Sequence, residues 1–252
     1  MNSSNRAGTP SRFSEINLGI VCPMANEEMS VVRFVDEVLQ ECAGFKSVAF
    51  FAILDRASTD RTRELLDSLA AQRPQLRPIW APENRTVVDA YMRGYQEGLD
   101  AGCDWILEID AGFSHQPSDL PRFFDAMLEG YDCVFGSRFC AGGKVSDNSL
   151  PRGIVSWGGS VLANLFLGTR LQDMTSGFEM FTHAALREVL ARGIRSRGPF
   201  FQTEIKAYCR KMNMVELPIH YRAGSHHFHP RGLQDSFANL WRLFLLRLRG
   251  RL

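Results

Sequence analysis

Through the first half of the chain, short apolar runs alternate with stretches whose apolar residues recur at helical spacing. Ile16 to Val21 reads as a strand closed by Pro23, and Val31, Phe34, Val35, Val38 and Cys42 then mark a helix across Met29 to Cys42. Ser47 to Leu54 repeats the strand signal. Ser58, Thr59 and Asp60 follow as N-cap candidates, and Leu65, Leu66 and Leu69 mark the next helix. A weaker strand around Ile79 and Trp80 precedes a helix bearing Val87, Val88, Tyr91, Tyr95 and Leu99. The run Trp105 to Asp110 is the next strand, and Ser118 or Asp119 caps a helix through Phe123, Phe124 and Met127. Such alternation predicts an α/β fold, a mostly parallel sheet with helices on both faces. Beyond Cys133 to Gly136 the order is less regular. An apolar, glycine-containing segment spans Ile154 to Leu167, and short strands are expected at Phe178 to Phe181 and Val215 to Tyr221.

At 252 residues the chain is long enough for one full core, and one domain is expected. Lys plus Arg (29) nearly cancels Asp plus Glu (28), so the overall field gives no case for nucleic acid, and any phosphate partner must be met by a local cluster. The six cysteines form no CxxC pair and read as reduced, structural thiols of a cytoplasmic protein. Residues 1–14 read as a flexible polar tail without a signal peptide. No run reaches the roughly 20 apolar residues of a spanning helix.

The residues with most chemical content are Trp105 to Pro117, an apolar run ending in Asp110 and breaking at once into a turn of Gly112, Ser114 and Pro117. A carboxylate at the carboxyl end of a buried strand lies where open α/β sheets bind ligands, and Asp is a hard ligand suited to a magnesium or manganese ion carrying a diphosphate. Asp55 ends its strand in the same way. The stretch Asp55 to Asp60 could dock a nucleotide with Ser58, or serve only to cap the following helix.

Taken together, Pro23 to Glu28, Asp55 to Thr62, Asp110 to Pro117, Gly136-Ser137-Arg138, Asp173 to Phe178 and Glu216 to Ile219 resemble, in order and spacing, the dolichol-phosphate mannose synthase branch of the inverting family-two glycosyltransferases. The resemblance covers residues 16–225. It implies a GT-A type, Rossmann-like domain over 15–225, a nucleoside-diphosphate sugar donor, a divalent ion (Mg2+ or Mn2+) and a polyprenyl phosphate acceptor. By the same resemblance Pro23, Asn26, Glu27 and Asp55, joined by Ser58 and Ser137, form the donor pocket. Asp110 is the first acid of the Asp-x-Asp element and holds the ion with Ser114. Arg138 belongs to the acceptor-side arginine motif, and Phe201 to Glu204 borders the acceptor. An anionic lipid phosphate attacks the sugar directly, so the chain needs to position it, and Arg138 and Arg222 are suited to bind it by paired hydrogen bonds.

Several positions depart from that pattern. Gly112 stands where the second acid of Asp-x-Asp is usual, with Glu108 on the same strand face as Asp110, either to support the ion or as a buried acid paired elsewhere; Arg56 replaces an acid, Ala25 an aromatic residue, and Glu179 an arginine. Four histidines (220, 226, 227, 229) cluster near Arg222 and Ser225, either as a loop in which Ser225 and His226 meet phosphate, as an exposed connector, or as a zinc site.

The segment 226–252 ends in a basic amphipathic helix. Its stripe of Trp241, Phe244, Leu245 and Leu248, flanked by Arg242, Arg247, Arg249 and Arg251, suits a membrane interface, packing on the domain, or an oligomer contact. The expected protein is a peripheral enzyme on the cytoplasmic face of a membrane. Transfer to a soluble hydroxyl, with His115 or the later histidines as base, and a catalytically inactive binding homologue are the alternatives.

Overall fold

The computed structural model describes residues 11–146, 150–222 and 230–252. Seven strands form one sheet: β1 (Asn17–Pro23), β2 (Ser47–Leu54), β3 (Leu76–Trp80), β4 (Trp105–Glu108), β5 (Cys133–Ser137), β7 (Glu179–Thr182) and β8 (Met214–Pro218), in the order β3-β2-β1-β4-β7-β5-β8. All neighbours run parallel except β7, which is antiparallel to both β4 and β5. The expected mostly parallel sheet is present. A second, two-stranded parallel sheet joins β6 (Lys144–Ser146) to β9 (His220–Arg222).

Alternate side chains of the central strands bury on opposite faces, as a sheet covered on both sides requires. In β2, Phe50, Ala52 and Leu54 pack with α1 (Val31–Glu41), α2 (Thr62–Ala70) and α4 (Leu120–Met127). Ala49, Phe51 and Ile53 join the opposite core with α3 (Val87–Asp100), α5 (Leu150–Leu167), α6 (His183–Ala191), α7 (Phe201–Tyr208) and α8 (Pro230–Leu248). Helix α3 lies unusually close to the sheet. A Cβ on its Gly94 would stand 2.2 Å from Val21 Cγ1, so glycine there permits the approach that brings Tyr91 and Tyr95, on the same helix face, down to the end of β4.

Two expectations change. The polar tail is anchored from residue 11, because Phe13 stacks on Phe45 at 4.9 Å and Arg12 pairs with Asp125. The strand expected over Val215 to Tyr221 is two strands in different sheets, parted at Ile219, whose N–H is turned to the Ser137 carbonyl. The apolar segment from Ile154 is helix α5. The six cysteines are all free thiols, and no described helix is long and apolar enough to cross a membrane.

Candidate active site

The carboxyl ends of β1, β2 and β4 share one edge because these strands are parallel, and Asp110 emerges there two residues beyond β4. Its side chain is 36% exposed. The Tyr91 hydroxyl donates to Asp110 Oδ1, while Oδ2 makes no hydrogen bond among the described residues. The Asp110 N–H donates to His115 Nδ1 at 3.0 Å, which leaves the His115 proton on Nε2, 3.8 Å from Asp110 Oδ2. Burial pushes His115 down, outweighing the opposing pull of Asp110, so the ring is a neutral prop stacked on Phe178 at 4.8 Å. His115 is thus spoken for on Nδ1 and hidden from any acceptor.

The turn after Asp110 passes through two successive left-handed residues, Gly112 (φ +67) and Phe113 (φ +60). An aromatic residue rarely adopts this conformation, and contacts on both sides hold it: Phe113 packs edge-on against Phe34 at 5.3 Å, and Arg33 lies over its ring. The Ser114 carbonyl accepts from the Arg222 N–H at 2.9 Å, so β9 brings Arg222 to this same turn with its side chain exposed. The space beside Gly112 is filled from the β1–α1 loop. A Cβ at position 112 would lie 2.7 and 2.8 Å from the two carboxylate oxygens of Glu27.

The residues assigned from sequence to the donor pocket divide. Pro23, Glu27 and Asp55 stand at the strand ends with partly exposed side chains. Asp55 spends one oxygen on the Ala57 N–H. Asn26 and Ser58 instead knit the β1–α1 and β2–α2 loops together: Asn26, in the left-handed region (φ 59), donates to the Ala57 carbonyl and accepts from the Thr59 N–H, and its own N–H donates to Ser58 Oγ. Asn26 stays exposed and Ser58 half-buried while their polar atoms tie the two loops. Asp60 likewise accepts from Thr62 and from the Glu28 N–H; the N-cap of α2 is Arg61, without a side-chain cap, so Ser58, Thr59 and Asp60 tie the loop instead of capping the helix. Ser137 is fully buried, and its hydroxyl accepts from the Phe139 and Cys140 N–H groups, so its assignment to a donor contact is corrected to closing the turn after β5.

Arg138 is also redirected. Its Nε and one terminal nitrogen form a bidentate pair with the fully buried Asp173 at 2.7 and 2.8 Å, and that nitrogen also donates to Thr175 Oγ1. Glu216 in turn accepts from the N–H groups of Gln172 and Asp173, which fixes the Asp173 loop. The guanidinium expected to bind acceptor phosphate therefore serves first to order the segment beside the site. Ser225 and His226, with His227 and His229, lie outside the described residues. His220 binds Ser146 at 2.7 Å across the small sheet.

Beneath Asp110 is a buried polar layer that the sequence pattern does not announce. Glu108 accepts from Tyr95 and Gln202, and Glu179 pairs with the buried Lys206 at 2.6 Å. Glu108 was expected near Asp110, and the two do meet the same helix, through Tyr95 and Tyr91 one turn apart. Tyr91 read in the sequence only as helix core. A hydroxyl at i−4 from Tyr95 on a helix entering the site was the available signal.

A model of glycosyl transferase family 2 matches residues 19–190. The chain belongs to glycosyl transferase family 2. The undecaprenyl-phosphate mannosyltransferase of Micrococcus luteus is 34% identical over 169 residues, covering 66% of this chain and 69% of that protein. The polyprenol monophosphomannose synthase of Mycolicibacterium smegmatis is 28% identical over 203 residues, 79% and 75% of the two chains. Among solved structures, glucosyl-3-phosphoglycerate synthase of Mycobacterium tuberculosis with UDP superposes with a TM-score of 0.62 at 16% identity, covering 91% of this chain and 80% of that one. A second structure of that enzyme, holding Mn2+, UDP and glucosyl-3-phosphoglycerate, gives 0.59 at 16% identity, covering 94% and 80%. This family-two chain therefore has the expected GT-A-like fold, and it is a glycosyltransferase by family.

Proposed function

We propose that this family-two enzyme moves a hexose from a nucleoside diphosphate to a polyprenyl phosphate, inverting the anomeric centre in one displacement at a membrane surface. The names of the two relatives support the lipid phosphate acceptor and make mannose the first sugar to try. The observation that carries the reading is Asp110, a carboxylate clamped by Tyr91 on one oxygen and open on the other, at the strand-end edge of the sheet.

The side chains present fit a divalent ion. Asp110 Oδ2, the Ser114 hydroxyl on the same turn and the Glu27 carboxylate over Gly112 are hard oxygen donors. No group of three or more His, Cys, Asp or Glu among the described residues forms a cage by itself, which suits an ion completed by diphosphate oxygens and water. A bound Mg2+ or Mn2+ supplies Lewis-acid stabilisation of the departing nucleoside diphosphate. Asp110 fixes where that charge is met, and Tyr91 fixes Asp110.

The acceptor phosphate is already an anion, so no residue has to remove a proton from it. That agrees with a buried, neutral His115, which is thereby removed as the base that transfer to a hydroxyl would need. In this reading Arg222, exposed beside the Ser114 turn, is the arginine that meets the acceptor, with Ser225 and His226 following it in sequence.

Two packed helices support membrane docking. Trp157, Val161 and Leu165 of α5 are exposed at four-residue spacing, as are Leu233, Phe237 and Trp241 of α8, with Leu248 beyond. The inner face of α8 carries Leu240 and Leu243, and of the stripe predicted from sequence Trp241 and Leu248 are exposed while Phe244 and Leu245 are half-buried, Phe244 edge-on to Phe166 of α5 at 5.1 Å. Arg249 and Arg251 remain exposed, whereas Arg242 pairs with Glu204 and Arg247 binds the Leu165 and Phe166 carbonyls. Only half of the expected basic flank thus faces outward.

The deciding experiment incubates the protein with a panel of nucleotide sugars, a short polyprenyl phosphate and Mg2+ or Mn2+, and reads the lipid by mass spectrometry. A lipid phosphate heavier by one hexose is the expected product. Sugar on a hydroxyl acceptor only, or no transfer from any donor, overturns the proposal.

A further inference from the structure

The departure at Gly112 has a physical counterpart in the β1–α1 loop. Position 112 lacks the second carboxylate of an Asp-x-Asp element, and the volume a side chain there would enter holds the carboxylate of Glu27. A Cβ would be 2.7 Å from Oε1, 2.8 Å from Oε2 and 3.1 Å from Cδ, all far inside contact distance. We propose that Glu27 supplies, from the neighbouring loop, the second carboxylate of the cation site that Asp110 begins. This rests on reading Asp110 as the residue that meets the donor's divalent ion.

Glu27 is aimed rather than free. Its N–H donates to Thr62 Oγ1 at 2.7 Å, its carbonyl accepts from the N–H groups of Ser30 and Val31, and its Oε2 accepts from Ser30 Oγ at 2.6 Å. Oε1 has no hydrogen bond among the described residues, and no lysine, arginine or histidine among them pairs with either oxygen. A carboxylate held in place, with one oxygen open and no protein cation to neutralise it, is what a hard divalent ion requires of a ligand. The left-handed Gly112 completes the arrangement, because the backbone turns there without a side chain to displace Glu27.

A role in the base and ribose pocket is the competing assignment for Glu27, and metal titration separates the two. Mn2+ is titrated by electron paramagnetic resonance into the full chain with GDP and, separately, UDP; nucleotide affinity is also measured in EDTA. The expected result is that Glu27→Gln weakens Mn2+ in the nucleotide complex by about tenfold or more, as loss of a metal contact does, with nucleotide binding in EDTA unchanged. Gly112→Asp alone collides with Glu27. The double variant Glu27→Ala with Gly112→Asp clears the collision and restores a carboxylate from the other side, at a position whose φ Asp tolerates better than most residues. It should return Mn2+ affinity to within about threefold of wild type.

Wild-type Mn2+ affinity in Glu27→Gln overturns the inference while leaving Asp110 in place. Loss that the double variant does not rescue, or loss of nucleotide binding in EDTA, also overturns it and makes Glu27 a loop or pocket residue. Absence of Mn2+ binding in the wild-type complex with both nucleotides removes the reading of Asp110 as well.

Discussion

Glu108 and Glu179 face each other across the antiparallel pairing of β4 and β7, and solvent reaches neither. Burial, then the charges of Glu179 and Asp110, push Glu108 well above its usual 4.5. Burial pushes Glu179 up to about 7 against the pull of Lys206. Lys206 stands at 2.6 Å from Glu179, so the ammonium favours the anion there and leaves Glu108 as the carboxyl that keeps its proton.

The pH dependence follows with a definite sign. Because the folded state binds the Glu108 proton more tightly than the unfolded chain, its contribution is fully present below about pH 4.5 and is lost as pH rises toward the elevated folded value. Glu108→Gln keeps the shape without the proton. It should cost no more than about 1 kcal/mol at neutral pH and lose less stability than wild type as pH rises. Urea unfolding followed by circular dichroism at several pH values checks this, and a wild-type slope would show that Glu108 is ionised.

The Arg138–Asp173 pair predicts the opposite sign. Burial pushes the Asp173 carboxyl up, but the hydrogen bonds and charge of Arg138 outweigh it and bring it below its usual 3.8. That contribution is present above pH 3.8 and is lost as pH falls through the lower folded value. Arg138→Met strands the carboxylate and should cost about 3–5 kcal/mol at pH 7. Its deficit relative to wild type should shrink on acidification, as Asp173 protonates first in the variant.

Turnover should depend on Asp110 more steeply than on the residue that holds it. Asp110→Asn is expected to lower kcat/KM by about 10²–10³-fold while the circular dichroism spectrum stays native. Tyr91→Phe removes only the clamp and should weaken Mn2+ binding and turnover by about 10–100-fold. Equal effects of the two would mean that Tyr91 itself touches substrate.

The sheet and the position of Asp110 were legible because their signals are local. A buried parallel strand is a continuous apolar run, and an acid at its end has few places to go. The Asp-x-Asp break at Gly112 was legible too, but the carboxylate that fills the space beside it was not, since Glu27 lies far away in sequence and nears Gly112 only when β1 and β4 pair. Arg138 and Ser137 entered the predicted site through the resemblance carried by Gly136-Ser137-Arg138. Their partners in the fold, Asp173 and the turn after β5, are set by burial, which is a tertiary outcome. The layer of Glu108, Glu179, Gln202 and Lys206 was illegible for the same reason: its members come from β4, β7 and α7.

Membrane docking is tested on side chains remote from Asp110. Phe237 and Trp241 are 59% and 56% exposed on the outward side of α8, whereas Leu243, on its inner side, is fully buried. Large exposed apolar side chains on α8, with Arg249 and Arg251 exposed just past its C-terminal end, favour an interface of acyl chains and anionic headgroups. Phe237→Glu with Trp241→Glu should therefore abolish sedimentation with anionic vesicles and leave the melting temperature unchanged. Transfer to a water-soluble short-chain prenyl phosphate should persist, while transfer to a long-chain lipid in vesicles falls. If the double variant still sediments with vesicles, α8 does not dock; if the wild type is a dimer and the variant a monomer, the stripe is instead a contact between copies of this chain.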